Sequence, residues 1–127
     1  MYVEFTIPEI LPTLNEFLQE TKRHSRRYYA GNNMKRTWEQ IIAAYIPRKA
    51  KGLKIDKPCI VSFKFYEPNN KRDPDNISAV ARKFILDTLV KTGVLKDDSR
   101  KYVKGLKDEY YTDKKNPRIE VSIYVNQ

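Results

Sequence analysis

Residues 71–99 read KRDPDNISAVARKFILDTLVKTGVLKDDS. Within this stretch Ile77, Val80, Ala81, Phe84, Ile85 and Leu89 recur at i, i+3, i+4 and i+7. That spacing predicts a helix over about 75–91 with one buried face. Asp75 stands at its start, where a carboxylate caps free amides or lies beside the positive end of the helix dipole. Pro74 pushes Asp73 into extended backbone, and Gly93 is a natural C-terminal stop.

Working outward, residues 59–66 (CIVSFKFY) alternate, with Cys59, Val61, Phe63 and Phe65 on one side. Residues 118–125 (RIEVSIYV) alternate most clearly, and residues 2–7 (YVEFTI) set Val3, Phe5 and Ile7 on one face. All three read as half-buried strands. Residues 101–111 make a poorer strand, where Gly105 marks a bulge. A further helix is expected over about 33–46, capped by Asn32 or Asn33, with Met34, Trp38, Ile41, Ile42 and Tyr45 as its apolar stripe and Pro47 as its end. Residues 8–32 and 47–57 read as basic loops and 67–72 as a turn. The expected order is β-α-β-α-β-β. It describes a single small α+β domain over residues 1–127, a four-stranded sheet with two helices packed on one face.

Composition narrows the function. The chain has 127 residues, 25 Lys+Arg against 16 Asp+Glu and a net charge of +9. An apolar fraction of 40% excludes a disordered basic tail. The apolar runs are short, so no transmembrane helix and no membrane partner are expected. The N-terminal residues lack a signal-peptide pattern, and Cys59 is the single cysteine. Together these point to a cytoplasmic protein. The charge is concentrated: residues 19–54 hold ten basic residues against Glu20 and Glu39. Such a stretch suits an anionic partner, nucleic acid first.

Acids cluster as well, with Asp73, Asp75, Asp87, Asp97 and Asp98 falling within residues 73–98. Clustered carboxylates oppose phosphate binding unless a metal lies between them. Asp73 and Asp75, two apart on extended backbone, can point to one side. A helix of about 16 residues is about 24 Å long, so Asp97 and Asp98 reach them only if the chain after Gly93 runs back along the sheet. Converging, these acids would hold Mg²⁺ against a phosphate and leave room for water. A nearby lysine would neutralise developing charge. The same residues also read as ordinary turn and cap chemistry. One histidine and one cysteine offer no zinc site.

Residues 71–99 resemble the RusA family of endodeoxyribonucleases, the Holliday-junction resolvases of bacteria and phages. The likeness lies in basic residues before D-P-D-N, a helix, a lysine before Ile85-Leu86-Asp87-Thr88-Leu89, then Gly93 and the pair Asp97-Asp98. The segment IPEILPTLNEF is similar to the family's proline-and-Asn opening. The resemblance implies a homodimer with a small sheet and two helices per subunit. It implies Mg²⁺-dependent symmetric nicking of four-way DNA junctions, with Mn²⁺ as a substitute metal, by a cytoplasmic bacterial or phage protein acting in recombination and repair. Asp73, Asp75 and Asp98 match the essential carboxylates, with Asp97 as an assisting metal neighbour. The catalytic lysine falls at Lys83 when aligned on the downstream Leu-Asp; Arg82, seven residues after Asp75, is its rival. Lys22, Arg23, Arg26, Arg27, Lys35, Arg36, Lys71 and Arg72 are the expected phosphate contacts. Two alternatives stand beside this: a non-catalytic basic module whose Tyr28 and Tyr29 stack on bases, and an Mg²⁺ nuclease of other branched DNA or RNA.

Overall fold

A computed structural model describes residues 2–23 and 27–125. In chain order the elements are β1 (Tyr2–Ile7), α1 (Leu14–Arg23), α2 (Arg27–Tyr45), β2 (Cys59–Glu67), α3 (Pro74–Lys91), β3 (Val103–Thr112) and β4 (Arg118–Val125), with a single 3-10 turn at Arg48–Ala50. The strands form one sheet in the order β1-β4-β2-β3. The β1/β4 and β4/β2 pairs are antiparallel, while β2 and β3 are parallel.

The sheet buries one face. Val3, Phe5 and Ile7 of β1, Cys59, Val61, Phe63 and Phe65 of β2, and Ile119, Val121, Ile123 and Val125 of β4 all point into the core. Against them α3 lays Ile77, Val80, Ala81, Phe84, Ile85 and Leu89, and α2 contributes Ile42. These are the period-2 and period-3.6 positions of the sequence, so the pattern and the packing agree. The opposite sheet face is open, with Tyr2, Ile60, Tyr111 and Tyr124 exposed.

The α+β class and the four strands are as expected, but the described residues form three α-helices. Residues 8–32, expected as a loop, contain all of α1 and the first turns of α2. The overlooked signal is a capping box. Glu16 N–H donates to Thr13 Oγ1 at 3.1 Å, and Thr13 N–H donates back to Glu16 Oε1 at 3.0 Å. Thr-x-x-Glu satisfies two free amides at once and starts a helix there. Phe17 then sits edge-on to Phe84 of α3, with ring centroids 5.9 Å apart. Asn33, expected as a cap, is an interior residue of α2. Residues 47–57 are loop apart from the 3-10 turn and a bridge between Ile55 and Leu95.

Gly93 ends α3 at φ +76° and lies directly against Gly52, at φ +87°. A Cβ on Gly93 would stand 3.2 Å from Gly52 backbone atoms. Gly52 N–H donates to Thr92 O at 3.2 Å and Lys54 N–H to Gly93 O at 2.7 Å, which seats the 47–57 loop on the end of α3. The expected irregularity at Gly105 is present: Cys59 pairs with Val103 but Ile60 with Gly105, leaving Lys104 as the extra residue.

Candidate nuclease site

The helix α3 is the crossover between two parallel strands, and this decides where each acid lies. The strand β2 ends at Glu67, opposite Thr112 of β3. The turn after it is tied to the same end of the sheet, since Thr112 Oγ1 donates to Asn70 Oδ1 and Asp113 N–H donates to Glu67 O. Asp73 and Asp75 follow at once. The helix then returns the chain to the end where β2 and β3 begin. There Cys59 N–H donates to Tyr102 O at 2.7 Å. Asp97 and Asp98 precede β3 on that side.

At the first end, Asp73 occupies the N-cap with φ −80° and ψ 150°, yet its side chain makes no capping hydrogen bond. Asp75 lies in the first turn, where one carboxylate oxygen accepts the Asn76 N–H at 2.9 Å. Both aspartates are exposed, and among the described residues no ion pair reaches either. The neighbouring Asn76 has a tertiary task. Its Oδ1 accepts the Asn15 N–H at 3.0 Å, satisfying a free amide of α1 and fastening that helix to the start of α3.

Arg72, just before the pair, is not free. Its Nη2 donates to Leu11 O at 3.0 Å, and its Nε stands 3.2 Å from Glu67 Oε1 without hydrogen-bond alignment. Burial pushes the Glu67 carboxyl above its ordinary range, opposed by the charge of Arg72. Lys71 is exposed.

The far part of α3 is crowded with charge. Asp87 takes Lys35 of α2 at 2.5 Å and Lys83 at 3.4 Å. Glu39 takes Lys91 at 2.8 Å and lies 3.9 Å from Lys35. The hydrogen bond that Lys35 donates to Asp87 holds its ammonium above the ordinary lysine range, and the charge of Asp98 acts in the same direction. Asp98 is half-buried, while Asp97 is exposed.

The two acid sets do not converge within one chain. Asp87 lies twelve residues beyond Asp75, about 18 Å along the helix axis. Among the described residues no three acidic, His or Cys side chains form a group able to cage a metal. The return of the chain after Gly93 does not bring Asp98 back to Asp73 and Asp75.

The rival cations separate clearly. Arg82 Nη1 donates to Asp108 Oδ2 of β3 at 2.9 Å and so fastens the helix to the edge strand. Burial raises the Asp108 carboxyl despite that partner. Lys83 is largely exposed and points toward Asp87 and α2. Of the expected phosphate contacts, Lys35 and Arg72 already have carboxylate partners, while Arg36 and Lys71 are exposed. Lys22 and Arg23 belong to the last turn of α1 and Arg27 to the first of α2. Arg26 lies outside the described residues, and so do the side chains of Lys22, Arg23, Arg27, Tyr28 and Tyr29.

A mixed four-stranded sheet with helices on one face, carrying paired exposed acids at the start of its crossover helix and a basic stretch over residues 19–54, defines a small α+β protein with the residue types of a metal-dependent phosphodiesterase. The family model described as endodeoxyribonuclease RusA matches residues 9–124. The chain belongs to the RusA endodeoxyribonuclease family. No curated protein matches it significantly.

Proposed function

We propose that the chain is an Mg²⁺-dependent endodeoxyribonuclease that resolves four-way (Holliday) DNA junctions by symmetric nicking, working as a homodimer in recombination and repair. Family membership supports the nuclease class. The observation that carries the site is the exposed pair Asp73 and Asp75, which have no ionic partner among the described residues and stand two residues apart at the start of α3. Two hard oxygen donors of this kind fit Mg²⁺, which keeps several waters and takes few protein carboxylates. Mn²⁺, also an oxygen-preferring ion, fits the same donors.

When bound, the metal would polarise a phosphodiester oxygen and lower the pKa of an attacking water. Asp73 and Asp75 hold it at the start of α3. Lys83, eight residues further and about 12 Å along the axis, supplies positive charge for the phosphate as negative charge builds on it. Arg36, Lys71 and the basic residues at 22–27 hold the flanking backbone.

Asp98 enters from the second subunit. Within one chain it stands away from the pair, but a two-fold arrangement gives each centre Asp73 and Asp75 from one copy and Asp98, with Asp97, from the other. Two identical centres related by the two-fold then face opposed strands of the junction, which is what symmetric nicking requires. The cell compartment that goes with this work is the bacterial cytoplasm, whether the gene is chromosomal or phage-borne.

The test is a labelled four-way junction incubated with and without Mg²⁺, beside flap, duplex, single-stranded and RNA substrates. Paired symmetric nicks confined to the junction are expected, and only with the metal. Asp75→Asn is expected to bind the junction at least as tightly and to nick it at a rate at least about 10³-fold lower, since it removes a metal ligand and a charge that repels phosphate. Full cleavage by Asp75→Asn would overturn the assignment. Binding without nicking under any divalent metal would leave a non-catalytic basic module instead.

A further inference from the structure

Of the five aspartates between residues 73 and 98, the proposed reaction leaves Asp87 without a task. Its surroundings are built. The side chain is 15% exposed and lies between lysines of two different helices. Lys35 Nζ of α2 is 2.5 Å from Oδ2, and Lys83 Nζ of α3 is 3.4 Å from Oδ1, so each carboxylate oxygen has its own ammonium.

An exposed i,i+4 pair on one helix is worth only a few tenths of a kcal/mol and would leave Lys83 free to swing. Asp87 differs from such a partner because it is anchored from a second helix. Burial acts against its ionised form, yet the hydrogen bond and charge of Lys35, joined by Lys83, outweigh it and hold the carboxyl below its ordinary range. The carboxylate therefore remains charged and fixed. An ammonium has three donors, so Lys83 held by one contact keeps others for a phosphate.

We propose that Asp87 is a positioning residue of the nuclease centre: anchored to α2 through Lys35, it holds the Lys83 ammonium on the α2-facing side of α3. This rests on the reading of Lys83 as the assisting cation. It predicts a coupling that a merely structural aspartate would not show, because Asp87 acts on the reaction only through Lys83.

The experiment is a double-mutant cycle on Mg²⁺-supported junction cleavage, with junction affinity and thermal melting measured on each variant. Asp87→Asn is expected to slow cleavage about 10- to 100-fold, the usual cost of losing a group that orients a reacting one, with little change in junction affinity. In the Lys83→Met background the same substitution is expected to change cleavage by less than about twofold, and Asp87→Glu should recover most of the wild-type rate. An equal loss in both backgrounds, or no loss in the wild type, overturns the proposal. Should Asp87→Asn fail to fold, Lys35→Gln takes its place. It is expected to give a smaller loss that also vanishes without Lys83, and a loss that persists there overturns the proposal. Asp75→Asn, run alongside, separates the two readings. If it cleaves fully, the assignment of the centre fails. If it is inactive while Asp87 and Lys83 act independently, only the positioning role falls.

Discussion

The two ends of α3 use carboxylates in opposite ways. At the N-terminal end Asp73 and Asp75 are exposed and unpaired among the described residues, although Arg72 and Lys71 stand beside them in sequence. Arg72 is turned away, to Glu67 and Leu11. Toward the C-terminal end Asp87 and Glu39 are nearly buried and are committed to Lys35, Lys83 and Lys91. An acid with its own lysine is already compensated and gains little from a cation in solution. An acid at a helix start without one has its negative charge in reserve. Under the proposed function, Asp73 and Asp75 at the first end are free to bind the metal, while Asp87 near the second is committed to orienting a lysine.

The sharpest way to break this comparison is to separate the ends onto different subunits. Asp75→Asn and Asp98→Asn homodimers are each expected to lose cleavage by at least about 10³-fold, as for removal of metal ligands. Mixed and refolded together, they should regain activity, because a heterodimer retains one centre with Asp73 and Asp75 from one copy and Asp98 from the other. A mixture as inactive as its parents would show that each centre belongs to one chain.

Next in size is Lys83→Met, expected to lower the cleavage rate about 10²- to 10³-fold, the range for losing one group that stabilises transition-state charge. Arg82→Met should act mainly on stability, since that guanidinium is bonded to Asp108. Comparing cleavage rates with melting temperatures distinguishes the two.

A smaller effect belongs to α1, which braces the first end. Thr13→Ala removes the capping box and should cost about 1 kcal/mol of stability. For a domain of this size that is a fall in Tm of about 3–5 °C, measurable by calorimetry.

The smallest effect is a pair of pH slopes of opposite sign. Asp87 has a lowered folded pKa, so its contribution is present above the ordinary carboxylate range, about pH 4, and is lost as pH falls through the lower folded value. Glu67 has a raised folded pKa, so its contribution is present below that range and is lost as pH rises through the raised value. Relative to Asp87→Asn the wild type should therefore lose its advantage on acidification. Relative to Glu67→Gln it should lose it on the way up toward neutral pH. Denaturant melts across the acid range check both signs.

Much of the fold was legible because the chain is patterned consistently. Alternation in 59–66 and 118–125 and the stripe from Ile77 to Leu89 correspond to β2, β4 and α3 nearly to the residue. Residues 8–32 differ, because α1 is marked by cap chemistry and not by an apolar period. Leu14 and Leu18 are about two-fifths exposed, so α1 lacks the fully buried stripe of a core helix and depends on Thr13, Glu16 and Asn76 for its start. Asn76 carried no readable signal of this task, because its partner, the Asn15 amide, is 61 residues away.

For the site, the residue types were readable and their grouping was not. The acids at 73, 75, 87, 97 and 98, the lysine at 83 and the basic excess over 19–54 are facts of sequence. That Asp73 begins a helix follows locally from Pro74 and from the apolar period after it. Which acids share a place depends on β2 and β3 being adjacent and parallel, with α3 between them. A crossover of that kind must leave from one end of the sheet and return to the other. It therefore sets Asp73 and Asp75 apart from Asp98 and leaves Asp87 against a lysine of α2, a contact that only the packing of the two helices could make.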